Sequence, residues 1–163
     1  MPSNYDGSPP PVSQSRTLIV RVNTTQTQEF LVLSRVPYGQ WIHWWGRRSH
    51  ECVKDKAFCQ KCADSWPDKW KGYLHCLTDC GRTECFLELT KTAIEAIEAK
   101  MIDGQGWRGM RVRISRTSGG AKGRYLIDLL EARADPEKIP QPRDPVDVLR
   151  YLWNAKKTPV QTA

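Results

Sequence analysis

The sequence predicts a mainly β fold of the α+β class with two helices, and three observations carry that prediction. Short runs rich in β-branched and aliphatic residues recur along the chain, separated by Asn, Thr, Gly and Pro clusters of the kind that make turns. Only two stretches, around 92–103 and 144–153, place apolar residues at helical spacing between start and stop signals. With 163 residues, 39% of them hydrophobic and 26% charged, the chain can build one packed domain with an appendage, and no apolar run approaches the roughly 18 residues of a membrane span.

The elements follow in order. MPSNYDGSPPPVSQS (1–15) lacks the basic and apolar segments of a secretion signal and is expected as a disordered arm, which places the protein in a reducing cytoplasm, bacterial or that of a phage-infected host. TLIVRV (17–22) and QEFLVLSR (28–35) are expected strands with NTTQT as the turn between them. KGYLHCLTDCGRTECFLEL (71–89) is an expected hairpin turning at TDCGRT. Thr92 with Glu95 forms a capping box, Ile94, Ile97 and Met101 recur on one helical face, and Gly104 sits at the stop. In WRGMRVRISR (107–116) Met110, Val112 and Ile114 alternate with Arg111, Arg113 and Ser115, the pattern of a half-buried strand with a basic outer face. RYLIDLLE (124–131) returns, a Pro-rich linker follows at 134–145, and residues 146–163 hold a last helix and tail, with Asp144 as N-cap, Pro145 in the first turn and Val148, Leu149, Leu152 and Trp153 as its apolar stripe.

Taken as an order, these elements fit an OB-fold-like five-stranded barrel, whose helix lies between its third and fourth strands. Residues 28–35 then begin the barrel, 36–70 are a zinc-binding loop inserted between the first two barrel strands, and 17–22 add an extra strand. The folded domain spans 16–133.

The insertion carries the most specific chemistry. The chain has six cysteines, and in a reducing compartment they point to metal or packing before disulfides. Cys59 and Cys62 make a Cys-x2-Cys pair, Cys52 precedes it by six intervening residues, and His43 precedes Cys52 by eight. Four N/S ligands of this kind close a tetrahedral structural zinc site with no position left for a catalytic water, and the cross-link staples a loop too polar to fold on its own. His50 and His75 compete with His43 for the fourth position. Cys76 and Cys85 are expected as small apolar residues in paired strands, with Cys80 in the turn.

The second signal is the pairing of aromatic and basic residues. Lys and Arg number 25 against 18 Asp and Glu, for a net charge of +7. The excess is uneven: between 104 and 130 Arg108, Arg111, Arg113, Arg116, Lys122 and Arg124 face only Asp128. The seven tryptophans sit mostly beside cations, as in Trp44 and Trp45 before Arg47 and Arg48, Trp70 between Lys69 and Lys71, and Trp107 before Arg108. Single-stranded nucleic acid asks for this combination, because each base offers a π face to a ring while cations track the phosphates. Stacking is therefore assigned to Trp44, Trp45, Trp70, Tyr73 and Trp107, and phosphate contact to Arg47, Arg48, Lys69, Lys71, Arg108, Arg111, Arg113, Lys122 and Arg124. Trp41, Trp66 and Trp153 are the core candidates.

No enzyme is expected. HExxH, GxSxG and GxxxxGK[ST] are absent from the sequence. Zinc deaminases need His-x-Glu and Pro-Cys-x-x-Cys, whereas His50 and Glu51 are adjacent here and Phe58 precedes Cys59.

The order His43, Cys52, Cys59-x2-Cys62, set among aromatics and cations in an OB-like strand order, resembles the T4-type phage single-stranded DNA-binding proteins. The resemblance spans residues 28–131 and implies zinc on those four residues, single-stranded DNA in a cleft between the zinc unit and the barrel, and a role in DNA replication or recombination. The chain departs from that family in its shorter ligand spacings, about half the length, and an ending NAKKTPVQTA in place of an acidic tail. Self-association along the strand or through the C-terminal helix is a further expectation. The alternatives are a protein-interaction module that docks through the zinc loop and exposed tryptophans, and an RNA-binding OB-fold.

Overall fold

The computed structural model describes residues 18–78, 83–120 and 122–154; side chains are described throughout except at 18, 48 and 150–154. The expected arm at 1–15, Cys80 in its turn and the side chains of Leu152 and Trp153 therefore lie outside the described residues. The fold is mainly β with a few helices, as the sequence predicts. Its elements are β1 (Leu18–Val20), β2 (Gln28–Val32), β3 (Tyr38–Trp45), β4 (Arg48–Glu51), α1 (Gln60–Ala63), β5 (Asp68–Thr78), β6 (Thr83–Thr90), α2 (Lys91–Lys100), β7 (Arg111–Arg116), β8 (Tyr125–Leu129) and α3 (Pro145–Asn154).

The eight strands make one open mixed sheet in the order β1-β6-β5-β2-β7-β8, with β3 on β5 and β4 on β3. β5 is 11 residues long, and that length lets it serve two partners on one edge. Its C-terminal half pairs with β2 (Val32↔Cys76) and its N-terminal half with β3 (Tyr38↔Tyr73 through His43↔Asp68). The other edge of β5 pairs with β6 as the expected hairpin, with Cys76 opposite Cys85 and both buried.

The expected closed five-stranded barrel is not what the ladders trace. No ladder joins β6 to β8 among the described residues; β6 takes β1 as a parallel partner instead (Leu18↔Cys85). The chain after β1 then reaches the far end of β7, where Arg116 and Gly120 donate backbone N–H groups to the carbonyls of Thr24 and Asn23, each at 2.9 Å. Segment 36–70, expected as an inserted loop, is largely ordered as the β3–β4 hairpin, α1 and the start of β5.

The main core lies between the sheet and α2. Phe30, Val32, Leu74, Leu87, Leu89, Val112, Ile114 and Ile127 from the strands meet Ala93, Ile94 and Ile97 of α2. The N-cap of α2 is Thr90, whose side chain accepts from Ala93 N, not the expected Thr92. The strand ends at Thr90, so Thr90 is the residue that has the extended backbone a cap needs, and Thr92 already lies inside the helix. Gly104, with φ of 82°, turns the chain three residues beyond the C-cap Met101.

The Pro-rich linker is strapped to the sheet. Arg108 donates to the carbonyls of Leu33, Pro136, Ile139 and Pro140, each at 2.9 Å. Gly109 lets the linker come this close: its φ is +85°, and a Cβ there would stand 2.5 Å from the carbonyl oxygen of Ala134. Beyond the linker, Asp144 caps α3 as expected, accepting from Val146 N at 2.9 Å. Leu149 is fully buried in a second apolar cluster with Ile42, Tyr73 and Phe86. No helix among the described residues is long and apolar enough to cross a membrane.

Candidate metal centre and nucleic-acid interface

His43 on β3, Cys52 just after β4, Cys59 before α1 and Cys62 within α1 come together, their ligand atoms all within 4.8 Å of one another. Cys52 Sγ and Cys62 Sγ are 3.3 Å apart; His43 Nε2 lies 3.3 Å from Cys62 Sγ and 3.4 Å from Cys59 Sγ. Metal–sulfur bonds of about 2.3 Å and metal–nitrogen bonds of about 2.0 Å in a tetrahedron imply ligand separations of roughly 3.5–3.8 Å. The closest separations lie just below that range and none exceeds 4.8 Å, so the cluster is near the dimensions of a closed four-coordinate site, and its residues fit a metal ion.

The surroundings orient the ligands. His43 Nδ1 is 3.0 Å from the carbonyl of Pro67, so Nδ1 carries the proton and Nε2 turns its lone pair toward the thiols. Lys54 N donates to Cys52 Sγ at 3.4 Å. Burial opposes ionisation of Cys59, but the hydrogen bonds from Cys62 and the proximity of His43 outweigh it and bring the thiol down to about 7. Cys62 is pushed up to about 12, first by its hydrogen bond with Cys52 and then by burial. Three thiols in one small space compete for negative charge, and a divalent cation removes that competition.

Among the described residues, the non-glycine positions with positive φ are Arg47, Lys54 and Ser65, and all three belong to this unit. Gly46 and Arg47, at φ of 58° and 62°, form the two-residue β3–β4 turn, whose hand matches strand twist. Left-handed backbone at a non-glycine residue costs about 1–2 kcal/mol, and such positions persist where the surrounding structure holds the chain in place.

His50 is the cross-strand partner of His43 but does not reach the thiols. Its ring stacks on Trp45, with centroids 3.3 Å apart, and its Nε2 is 3.2 Å from the Trp45 carbonyl. His75 lies elsewhere, 3.5 Å from Glu84 and hydrogen-bonded through Nδ1 to the backbone N–H of Arg143. Of the three histidines, only His43 joins the cluster.

Beside this unit lies a cleft of about 430 Å³. Arg21, Lys69, Lys71 and Arg116 give it four cations, Trp44 and Tyr125 give it rings, and Glu88 is its one acid. Trp44 is 48% exposed, with the Arg21 guanidinium carbon 4.9 Å from its ring centroid. Burial pulls the Lys71 ammonium down from its ordinary range, with Glu88 opposing that shift. Arg116 is buried and donates to the carbonyls of Val22 and Gly123 and to the Tyr125 hydroxyl, so it holds the cleft wall together.

Of the residues assigned to nucleic acid from sequence, Trp44, Lys69 and Lys71 meet in this cleft. The others lie elsewhere. Trp45 is covered by His50 and by Lys61, whose Nζ is 4.8 Å from its ring. Trp70 packs on the core, its ring against Gly39, where a Cβ would meet it at 2.5 Å. Tyr73 is buried with its hydroxyl on Glu88, Trp107 is buried in the core, and Arg108 is spent on the linker carbonyls. Arg111 and Arg113 point to the outer face of β7, where both approach Glu29, at 3.8 and 3.3 Å. Lys122 and Arg124 are exposed around the β7–β8 turn, Arg47 is exposed in the β3–β4 turn, and the side chain of Arg48 lies outside the described residues.

Two core candidates are also corrected. Trp41 and Trp66 are 39% and 42% exposed, each beneath a lysine: Lys54 Nζ at 3.8 Å and Lys61 Nζ at 4.0 Å respectively. Sequence reasoning missed Arg21, Glu88, Arg116 and Tyr125. Arg21 had a signal, since Val20 and Val22 flank it in an alternating strand and leave it on the opposite face.

Compared with known proteins, the chain matches no family model, no curated protein and no solved structure.

Proposed function

We propose that this is a non-enzymatic, zinc-stabilised protein that binds single-stranded DNA with little sequence preference, in replication or recombination, as the T4-type resemblance implies. The observation that carries the reading is the cleft: an exposed tryptophan ring, Trp44, and three cations, Arg21, Lys69 and Lys71, line one concave face. A single strand offers stackable bases and phosphates together, whereas a duplex hides its base faces. Zinc is the metal proposed, because three thiolates and one imidazole make a closed set of the structural zinc type. An OB-type ancestry is supported by the path β6-β5-β2-β7-β8 with α2 between β6 and β7, which is the strand and helix order of that barrel without its closing ladder.

The test is tryptophan fluorescence during titration with oligo-dT, a matched duplex and an RNA of the same sequence at two salt concentrations. Quenching that favours the DNA single strand and weakens with salt is expected. Equal response to RNA moves the assignment to RNA. Phe58, 83% exposed on the metal loop between Cys52 and Cys59, favours protein docking as the second reading. The absence of quenching by any oligonucleotide at low salt would overturn the nucleic-acid reading in its favour.

A further inference from the structure

A nearly buried carboxylate at the base of a basic cleft needs an explanation, because it repels the anion the cleft is proposed to hold. Glu88 on β6 is 3% exposed. Oε1 accepts from Arg21 Nε at 2.9 Å, and Oε2 accepts from Arg21 Nη2 at 3.1 Å, from Ser49 Oγ at 3.1 Å and from the Tyr73 hydroxyl at 2.9 Å. Lys71 Nζ stands 4.0 Å from Oε1. Arg21 Nη2 also donates to Ser49 Oγ at 3.0 Å. One carboxylate thus joins the chain after β1, the metal-bearing hairpin at β4, and β5.

Its acceptor capacity is used inside the protein, so it offers nothing to a ligand. What it does offer is the placement of Arg21. Two contacts on one edge of the guanidinium plane fix its orientation in a way that a single charge contact does not. Nε and Nη2 are consumed by Glu88 and Ser49, and among the described residues Nη1 donates to no acceptor. Arg21 also lies against Trp44. Its remaining donors are therefore held close to the ring on which a base is proposed to stack.

Resting on the reading of the cleft as a single-strand site, we infer that Glu88 is a positioning residue. It strengthens anion binding by holding Arg21 over Trp44 with Nη1 free for a phosphate oxygen, and this outweighs the repulsion of its own charge. The two effects have opposite signs, which makes the inference decidable. If Glu88 acted only through its charge, Glu88→Gln would bind oligo-dT more tightly. As a positioning residue, its amide variant places an N–H against the Arg21 donors, releases the guanidinium and weakens binding.

The experiment measures oligo-dT affinity against salt for the wild type, Glu88→Gln, Arg21→Ala and the double variant, with thermal melting and metal content as checks of folding. Glu88→Gln is expected to weaken binding by about tenfold, the worth of one charged hydrogen bond, and to lower the salt slope by about 0.7, one phosphate contact. Arg21→Ala should do the same, and adding Glu88→Gln to it should change little. Equal or tighter binding by a folded Glu88→Gln, or additive losses in the double variant, overturns the inference. If Glu88→Gln does not fold, Ser49→Ala removes one hydrogen bond from each partner without altering charge. A weakening of severalfold sustains the inference and wild-type affinity overturns it. A wild type that binds no oligo-dT at low salt overturns the cleft reading itself and the inference with it.

Discussion

Replacing Lys69 with alanine isolates the charge term of the cleft. Lys69 is exposed, makes no ion pair among the described residues, and sits directly across the β3–β5 ladder from Ile42, so its loss leaves the packing intact. The cleft cations proposed to meet phosphate are Arg21, Lys69 and Lys71, since Arg116 is occupied internally. At a slope of about −0.7 per neutralised phosphate on single strands, three contacts give about −2, and raising salt from about 50 to 200 mM should weaken wild-type binding by about 20-fold. With two contacts the slope is about −1.4 and the same change in salt should weaken binding by only about sevenfold. The assay is fluorescence titration with oligo-dT across that salt range. Arg113→Ala is the control: its guanidinium is on the outer face of β7 beside Glu29, and its removal should leave the slope unchanged. A slope unaltered by Lys69→Ala, or lowered by Arg113→Ala, would refute the placement of the strand in this cleft.

His43→Ala and Cys62→Ser should lose the metal and His50→Ala should keep it, as measured by metal content after dialysis; retention by the first two would refute the ligand set. Burial holds the His75 imidazole below its ordinary pKa of 6.5, helped by Arg143 and opposed by Glu84. The unfolded chain therefore binds the proton more readily, so this contribution to stability is complete above pH 6.5 and is lost as pH falls through the folded pKa. Phe86 stacks on this ring and Ser34 caps its backbone N–H, so Glu84 and Arg143 are the charged groups that face it. Thermal melts at pH 7.5 and 5.5 should differ less in His75→Gln than in the wild type, and an equal difference would refute the assignment. Leu149→Ala should cost about 2 kcal/mol in urea unfolding, because it empties a fully buried site on Ile42, Tyr73 and Phe86; a cost near zero would mean that α3 does not dock there in solution.

The cluster of His43, Cys52, Cys59 and Cys62 was legible in the sequence because its pattern is local: two residues separate Cys59 from Cys62, and no packing role asks for that spacing with Cys52 and a histidine nearby. The choice among His43, His50 and His75 was not local. It depends on β3 and β4 pairing so that His43 and His50 sit opposite each other, after which Trp45 takes one ring and the thiols the other. The tryptophans misled in both directions for the same reason. Trp107 stands among arginines in sequence yet is covered by the core, while Trp41 looks like core and is 39% exposed beneath Lys54. Arg108 resembled a phosphate contact because sequence does not reveal that the linker's carbonyls, including those of Pro136 and Pro140, lie within its reach. Arg21, just after β1, is far in the chain from Arg116 and Tyr125, which pair across the β7–β8 hairpin, and only the sheet order brings them to one cleft.

That sheet order also sets the His/Cys cluster and the cleft on opposite faces of the same strands. Side chains alternate across a strand, and β3 uses both faces within four residues. Ile42 and Trp44 line the cleft, while His43 reaches the thiols and Trp45 stacks over His50. β5 repeats the division. Lys69 and Lys71 face the cleft with Ile42, and Asp68, opposite His43, faces away. Glu88 continues the cleft face onto β6 through its pairing with Tyr73. Trp44 thus lies on the cleft face of β3 while its neighbour His43 joins the cysteines on the other face, so an ion held by that cluster would brace the strand that carries the ring. The basic and aromatic residues crowded into 43–62 therefore divide between two faces of one ladder: Trp44 toward the cleft, and His43 with the cysteines on the opposite side, where a bound ion would cross-link the wall from behind.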